Sequence, residues 1–354
     1  LGGELLLFSK EENMKYDKPF LDYGERIEKL KVDYNLEITN KRILEKEFLK
    51  TISYYDLING YKDCFMINGK FQNENILTLF NFSYLDKRFQ NILFMYSIYV
   101  ENIFKTKFSN LIAKNKGVEY GQYLDINKYT VSNPKRKNKL LKTLSDIIAI
   151  HSGTSDYDDN PTKYYRKNHN HIPPWILFKN VKFTTVIDLF SFLNKNEKLE
   201  IINEYPAFNS SRISNDEKLE MFKNMLSIVR KFRNKIAHNY KFVGETLDKT
   251  SIHLVNLIKI DPFGIIKKKD IKIRRGASDV FGMYISILFL LGTSFLNILF
   301  LTETLNFKSI LNIENLSNQV KKYLYNCNFP DDFFKRIETI IIKEKKIIDT
   351  ILEK

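Results

Sequence analysis

Apolar residues recur every three to four positions along most of this chain, the spacing of helices that bury one face. The spacing predicts helices over 20–32 and 41–58, the second apolar at Ile43, Leu44, Phe48, Ile52 and Tyr55 and stopped by Asn59-Gly60. A long helix follows over 84–115, with Leu85, Phe89, Ile92, Leu93, Tyr96, Val100, Ile103, Phe104, Phe108 and Leu111 as its core-facing stripe. The pattern loosens between 117 and 174, around a helix at 138–151 and an acidic loop holding Asp156, Asp158 and Asp159. Pro173-Pro174-Trp175 reopens an apolar segment, and Thr184-Thr185 start a helix through Leu193. Ser214-Asn215-Asp216-Glu217 is a capping box for a helix over 219–238. Beyond Tyr240, Ile252–Ile260 and Ile271-Lys272-Ile273 look strand-like about a turn at Asp261-Pro262-Phe263-Gly264, which allows one small β-hairpin over 252–273. Helical spacing returns at 279–302, 308–325 and 331–352.

A mainly α fold follows. Its expected organisation is an N-terminal extension at 1–13, an N-terminal helical segment at 14–70, a core at 71–245 with a basic insertion around 117–174, and a C-terminal helical segment at 246–354. Val280 to Thr302 carries no charge and follows the basic residues Lys267, Lys268, Lys269, Arg274 and Arg275, which raises the possibility of a membrane span. Gly292-Thr293-Ser294 divides that run and Asn297 lies within it, so two buried helices about a kink are the expectation, with no membrane association.

Composition narrows the function. Hydrophobic residues make up 44% of the chain, enough for a packed core. A net charge of +14 favours a polyanionic partner, with nucleic acid ahead of an anionic membrane surface. Cys64 and Cys327 have no metal-type spacing, and a reducing cytoplasmic setting is the expectation. No glycine-rich phosphate loop or nucleophile elbow is present, and nothing calls for a cofactor. His169 and His171 lack acidic or cysteine partners at convincing spacing, and the acidic loop lacks the glycine and terminal glutamate of a calcium site, so no metal is expected.

The hexapeptide Arg233-Asn234-Lys235-Ile236-Ala237-His238 carries the candidate chemistry. On one continuous helix Leu219, Phe222, Leu226, Val229, Phe232 and Ile236 share a side, while Arg230, Asn234 and His238 share the other. Arg233 falls about 40° from Val229, at the edge of the apolar stripe, where an arginine needs an acid or a polar pocket. Cleavage of RNA by its own 2′-hydroxyl needs a proton carrier that titrates near neutrality and a cation for the phosphate. Histidine suits the first role and arginine the second. One histidine does not easily serve as acid and base in one pass, so a second copy of the chain is a natural partner.

The same hexapeptide is similar to the Arg-Asn-x-x-Ala-His signature of HEPN-domain ribonucleases. The rest of the chain from Tyr16 on resembles the Abi-like (AbiD/AbiF) abortive-infection family. The resemblance rests on YDKPFLDYGERIEKLK at 16–31, ISYYDLINGYKDCF at 52–65 with Asn59 inserted before its glycine, FNFSYLDKRFQNILFMYSIYVENIFKTKF at 80–108, PPWILFKNVKF at 173–183 and FRNKIAHN at 232–239. It implies a HEPN-type helical bundle, metal-independent RNA cleavage by a homodimer, and a toxin role in antiphage abortive infection or a toxin–antitoxin pair. It also implies restraint by a cognate structured noncoding RNA. Arg233, Asn234 and His238 inherit the catalytic slots. Glu101 matches the acid of a Glu-x-x-x-Arg element whose basic partner here is Lys105, and the sharper expectation pairs Glu101 with Arg233 across two core helices.

Three basic clusters are candidates for RNA contact. They are Lys135, Arg136, Lys137 and Lys139; Lys163, Tyr164, Tyr165, Arg166 and Lys167, whose tyrosines suit stacking on unpaired bases; and Lys267, Lys268, Lys269, Lys272, Arg274 and Arg275. The alternatives are a non-catalytic RNA-binding protein and a membrane-acting effector using 280–302.

Overall fold

The computed structural model describes residues 19–130, 133–150, 161–309 and 316–353. The expected extension at 1–13, the acidic residues Asp156, Asp158 and Asp159, and part of the helix expected over 308–325 lie outside them. The chain divides into two compact units, one ending at Ser83 and the other beginning at Tyr84.

In the first unit, α1 (Tyr23–Val32) starts at a reciprocal cap between Asp22 and Glu25. The single helix expected over 41–58 is broken instead. Helix α2 (Ile43–Thr51) stops where Ile52 turns extended. Ser53 then caps a new start by accepting the Asp56 N–H at 3.0 Å, and Tyr55–Asn59 form a π-helical turn that runs into Gly60. A π-helical turn holds one residue more than an α-helical turn, and this one includes Asn59. Phe48 stacks on Phe80 at 4.2 Å, and Tyr61 and Phe65 set their edges to Phe82.

Among the described residues the sheet is a two-stranded hairpin, β1 (Met66–Ile67) and β2 (Lys70–Phe71), and it is not in the 252–273 segment expected to hold one. Asn68-Gly69 makes its turn, both residues with positive φ, as a two-residue hairpin loop requires. Residues 252–273 form α11 and α12 instead, for a reason visible in their burial. Leu254, Leu257 and Ile260 recur every third position and are all buried, so one helical face wins over β-branched content. The Asp261 carboxylate then organises the following loop by accepting N–H bonds from Phe263, Gly264 and Ile266.

Helix α3 (Ile76–Lys116), 41 residues and about 60 Å long, continues into the second unit as its spine. Leu85, Phe89, Leu93, Val100, Phe104 and Phe108 are fully buried along it. After α4 (Tyr120–Tyr123) come α5 (Pro134–Ile150), α6 (Pro161–Asn168), α7 (Pro174–Asn180), α8 (Phe183–Ser191), α9 (Lys195–Asn203) and α10 (Asn215–Ala237). Phe104 gathers Phe183, Phe190 and Phe222 around it at ring separations of 5.5–6.1 Å, joining α3, α8 and α10 in one aromatic core. The remaining helices are α11 (Leu254–Ile260), α12 (Lys268–Lys272), α13 (Val280–Leu290), α14 (Ser294–Ser309), α15 (Leu316–Asn326) and α16 (Phe333–Leu352).

The buried face of α10 is wider than the stripe expected for it, because Met221, Met225 and Ile228 are buried too. The helix has neighbours on more than one side: α13 runs along it, and α8 and α9 also pack on it. Every residue of α13 is buried, which explains a run with no polar face. The charge-free segment is two helices separated at Gly292, whose φ of +69° suits glycine. Among the described residues no helix is long and apolar enough to cross a membrane. The helical content and small hairpin make the fold mainly α.

Candidate functional site

Helix α10 has a defined start and a defined end, and the end positions the candidate histidine. Ser214 and Glu217 exchange the two bonds of a capping box. At the other end Ala237 is the last helical residue and His238 is the C-cap. Asn239 takes a positive φ of 62°, its N–H reaches the Ile236 carbonyl at 2.9 Å, and the Tyr240 N–H reaches Lys235 at 3.0 Å. These two bonds form a Schellman motif, with asparagine where glycine usually sits. His238 therefore projects from the terminal turn, and it is exposed.

Helix α3 fastens the chain just beyond. The Lys87 ammonium donates to the Asn239 and Tyr240 carbonyls, and the Gln90 amide donates to the Tyr240 carbonyl at 3.0 Å. The Asp86 carboxylate, fully buried, accepts the Phe242 N–H at 3.2 Å and the Tyr323 hydroxyl at 2.9 Å. Burial first, and the Asp86 charge next, push the Tyr323 hydroxyl well above its ordinary value, so it remains a donor. These polar residues were not singled out from sequence. Their signal was polar side chains recurring at helical spacing within a core helix.

Arg233 leans from α10 toward α3. Its Nη2 lies 3.6 Å from Glu101 Oε2, its Nη1 donates to Asn234 Oδ1 at 3.3 Å, and its guanidinium carbon is 5.8 Å from the Phe94 ring centre. Glu101 is shared: Lys105 Nζ lies 2.7 Å from its Oε1 and also donates to the Val181 carbonyl at 2.7 Å. Both expected pairings of Glu101 thus occur together. One carboxylate serving a lysine and an arginine leaves a net positive charge. The Arg233 side chain stays 35% exposed, and its Nε–H is buried with no acceptor among the described residues. A buried donor without a partner is uncommon. Placed beside an incompletely neutralised, accessible guanidinium, it suits an incoming anion.

Arg230, expected on the His238 side, reaches α8 and donates to Thr184 Oγ1 at 3.3 Å. Lys235 is held by Glu245 at 2.6 Å. Arg233 shares its acid with Lys105 and stays partly exposed at this end of α10.

The three basic clusters fare differently. Lys137 is turned inward, only 3% exposed, with its ammonium on the Ile126 and Tyr129 carbonyls, so it is not part of a basic surface. Arg136 pairs with Asp188, while Lys135 and Lys139 are exposed. In the second cluster Tyr164 is 60% exposed, and Tyr165 lies against His169 with ring centres 4.3 Å apart. Arg166 and Lys167 are exposed there, and Lys163 is half-buried. Half of the third is engaged: Lys267 and Lys269 reach Asp332, and Arg275 lies 3.7 Å from Asp270. Lys268, Lys272 and Arg274 remain exposed there.

No curated protein and no solved structure gives a significant match to the chain. The family model described as Abi-like protein matches residues 47–243. That span covers more than half of the sequence and includes Glu101, Lys105, Arg233, Asn234 and His238. The chain therefore belongs to the Abi-like protein family, a family associated with abortive-infection defence.

Proposed function

We propose that this protein is a HEPN-type, metal-independent endoribonuclease that acts as a toxin in abortive infection. The observation that carries the reading is the partly open Arg233, short of full neutralisation by Glu101 and five residues from an exposed His238 at the same helix end. In the proposed reaction His238 takes the proton of a ribose 2′-hydroxyl. The 2′ oxygen attacks the adjacent phosphorus, and the bond to the 5′ oxygen breaks as that oxygen is protonated. The products are a 2′,3′-cyclic phosphate and a 5′-hydroxyl. Arg233 stabilises the added negative charge on the phosphoryl oxygens, and Asn234 orients its guanidinium. Glu101 and Lys105 position Arg233 without touching substrate.

Each chain supplies one such histidine, so the acid and the base come from two copies in a homodimer. A structured noncoding RNA fits as the restraining partner, held by the exposed residues Lys135, Lys139, Tyr164 and Lys167. The test is cleavage of single-stranded RNA in EDTA by the wild type and by His238→Ala. Loss of cleavage with retained RNA affinity is expected from the variant. Equal cleavage by both proteins overturns the assignment. Salt-sensitive binding with no cleavage by either would favour a non-catalytic RNA-binding protein.

A further inference from the structure

A cavity of about 600 Å³ opens where α13 and α14 part at Gly292, within the size range of small-molecule sites, about 300–1,000 Å³. Leu288 and Phe289 of α13, Phe263 of the loop after α11, and Ile347 and Ile348 of α16 form its apolar walls. Phe295 and Leu352 stand at its edge, 64% and 79% exposed. Beyond residue 243 these walls lie outside the family-matched span.

Thr293, Ser294, Asn297 and Glu344 are the polar side chains on this lining, and the last two are more than nine-tenths buried. Asn297 is 4% exposed, and its Oδ1 is without a hydrogen-bond partner among the described residues. Glu344 is 6% exposed and is the one charged side chain on the cavity wall, with no ion pair among the described residues. Leaving the amide oxygen without a donor against an apolar space is costly, and the Glu344 carboxylate stands on the same wall. Both groups offer acceptors, and one carries negative charge. An anionic headgroup would meet repulsion from Glu344. A sugar or nucleotide would leave most of its polar groups facing hydrocarbon.

We propose that this cavity binds a small apolar molecule carrying one protonated amine. Its nitrogen donates to the Glu344 carboxylate and to Asn297 Oδ1, and its hydrocarbon lies along Leu288, Phe289 and Ile347. The proposal does not depend on ribonuclease activity, because none of these residues belongs to the Arg233 site.

The test is calorimetric titration of the full chain with 1-decylamine, 1-decanol and decanoate, each below its micelle-forming concentration. Saturable one-to-one binding of decylamine is expected, with decanol at least about tenfold weaker and decanoate weaker still. Glu344→Gln should bring decylamine and decanol to within about twofold of each other. Ile347→Trp, on a half-exposed wall position, should weaken both by obstructing the cavity. Absence of saturable binding to the wild type, or equal affinity for the amine and the carboxylate, overturns the proposal whatever the variants do. An amine preference that survives Glu344→Gln, in a variant with the wild-type unfolding temperature, also overturns it.

Discussion

Arg336 and Arg233 each meet an acid across packed helices of the larger unit, yet their surroundings differ at every contact. Arg336 is 2% exposed at its side chain, and each guanidinium nitrogen is engaged. Nε and Nη2 donate to Asp332 at 3.0 and 2.8 Å, and Nη1 donates to the Ile265 carbonyl at 2.7 Å and to fully buried Asp270. Two acids surround that one arginine. Those acids also serve Lys267, Lys269 and Arg275, whereas Arg233 has a single acid in reach, shared with Lys105, at a 3.6 Å separation and with an idle Nε–H. The first arrangement consumes its donors and tethers α16 to α12. The second keeps a cation in reserve at the surface. The contrast separates an arginine that holds the fold from one placed for a ligand.

The largest expected effects come from exchanging the loss between the two. Arg336→Ala leaves the fully buried Asp270 carboxylate with Arg275, 3.7 Å away, as its remaining cation and should cost about 3 kcal/mol in urea-induced unfolding. Arg233→Ala should cost no more than about 1 kcal/mol, because its pair is partly solvated. In an RNA cleavage assay Arg233→Ala should lose about 10²–10³ in rate, the scale of one removed transition-state donor. If Arg233→Ala unfolds as readily as Arg336→Ala and still cleaves RNA, the distinction fails.

Acid should find the closed network next. Burial alone would raise the Asp332 carboxyl, but hydrogen bonds and charge from Arg336 and Lys267 outweigh it and hold that carboxyl well below the usual range. A carboxylate whose value is lowered by folding stabilises the fold above its unfolded value of about 3.9. That contribution disappears as pH falls from there toward the folded value. Urea midpoints measured from pH 6 down to pH 2.5 should therefore drop below pH 4, and Asp332→Asn should drop less. Parallel curves for the two proteins would remove Asp332 from the account.

How much of this was readable beforehand depended on whether the signal was local. The capping box of α10 and the inward lean of Arg233 follow from residue order and a turn of 100° per residue, and the structure has both. The link between Glu101 and Arg233 spans distant sequence positions, and family resemblance supplied it. Asp86, Lys87 and Gln90 were missed because their partners, the Asn239 and Tyr240 carbonyls and the Phe242 N–H, are backbone groups that no motif displays. Two local signals were passed over. Asn68-Gly69 announces a hairpin by turn chemistry, while the β-branched residues of 252–273 suggest one where the chain is helical. Lys137 stands in a basic run, yet it lies four and seven residues before Leu141 and Leu144, which are buried on the same helical face. Charge composition masked periodicity there.

The smallest expected effect sharpens the comparison at the open site. Asn239 supports His238 through backbone geometry alone, with its φ of +62° closing the Schellman turn. Asn239→Gly fits that conformation and should leave stability within a few tenths of a kcal/mol. Asn239→Ala pays the left-handed cost of about 1–2 kcal/mol or abandons the turn. Since Lys87 and Gln90 grip the Asn239 and Tyr240 carbonyls, opening this turn shifts the C-cap residue relative to α3. Cleavage by Asn239→Ala should then fall several-fold beyond what unfolding explains, with Asn239→Gly close to wild type. Measured together, rate and unfolding midpoint for the two variants distinguish a positioned histidine from one that merely dangles at a helix end. If alanine and glycine give the same rate, the turn does not place His238, and only Arg233 is preorganised.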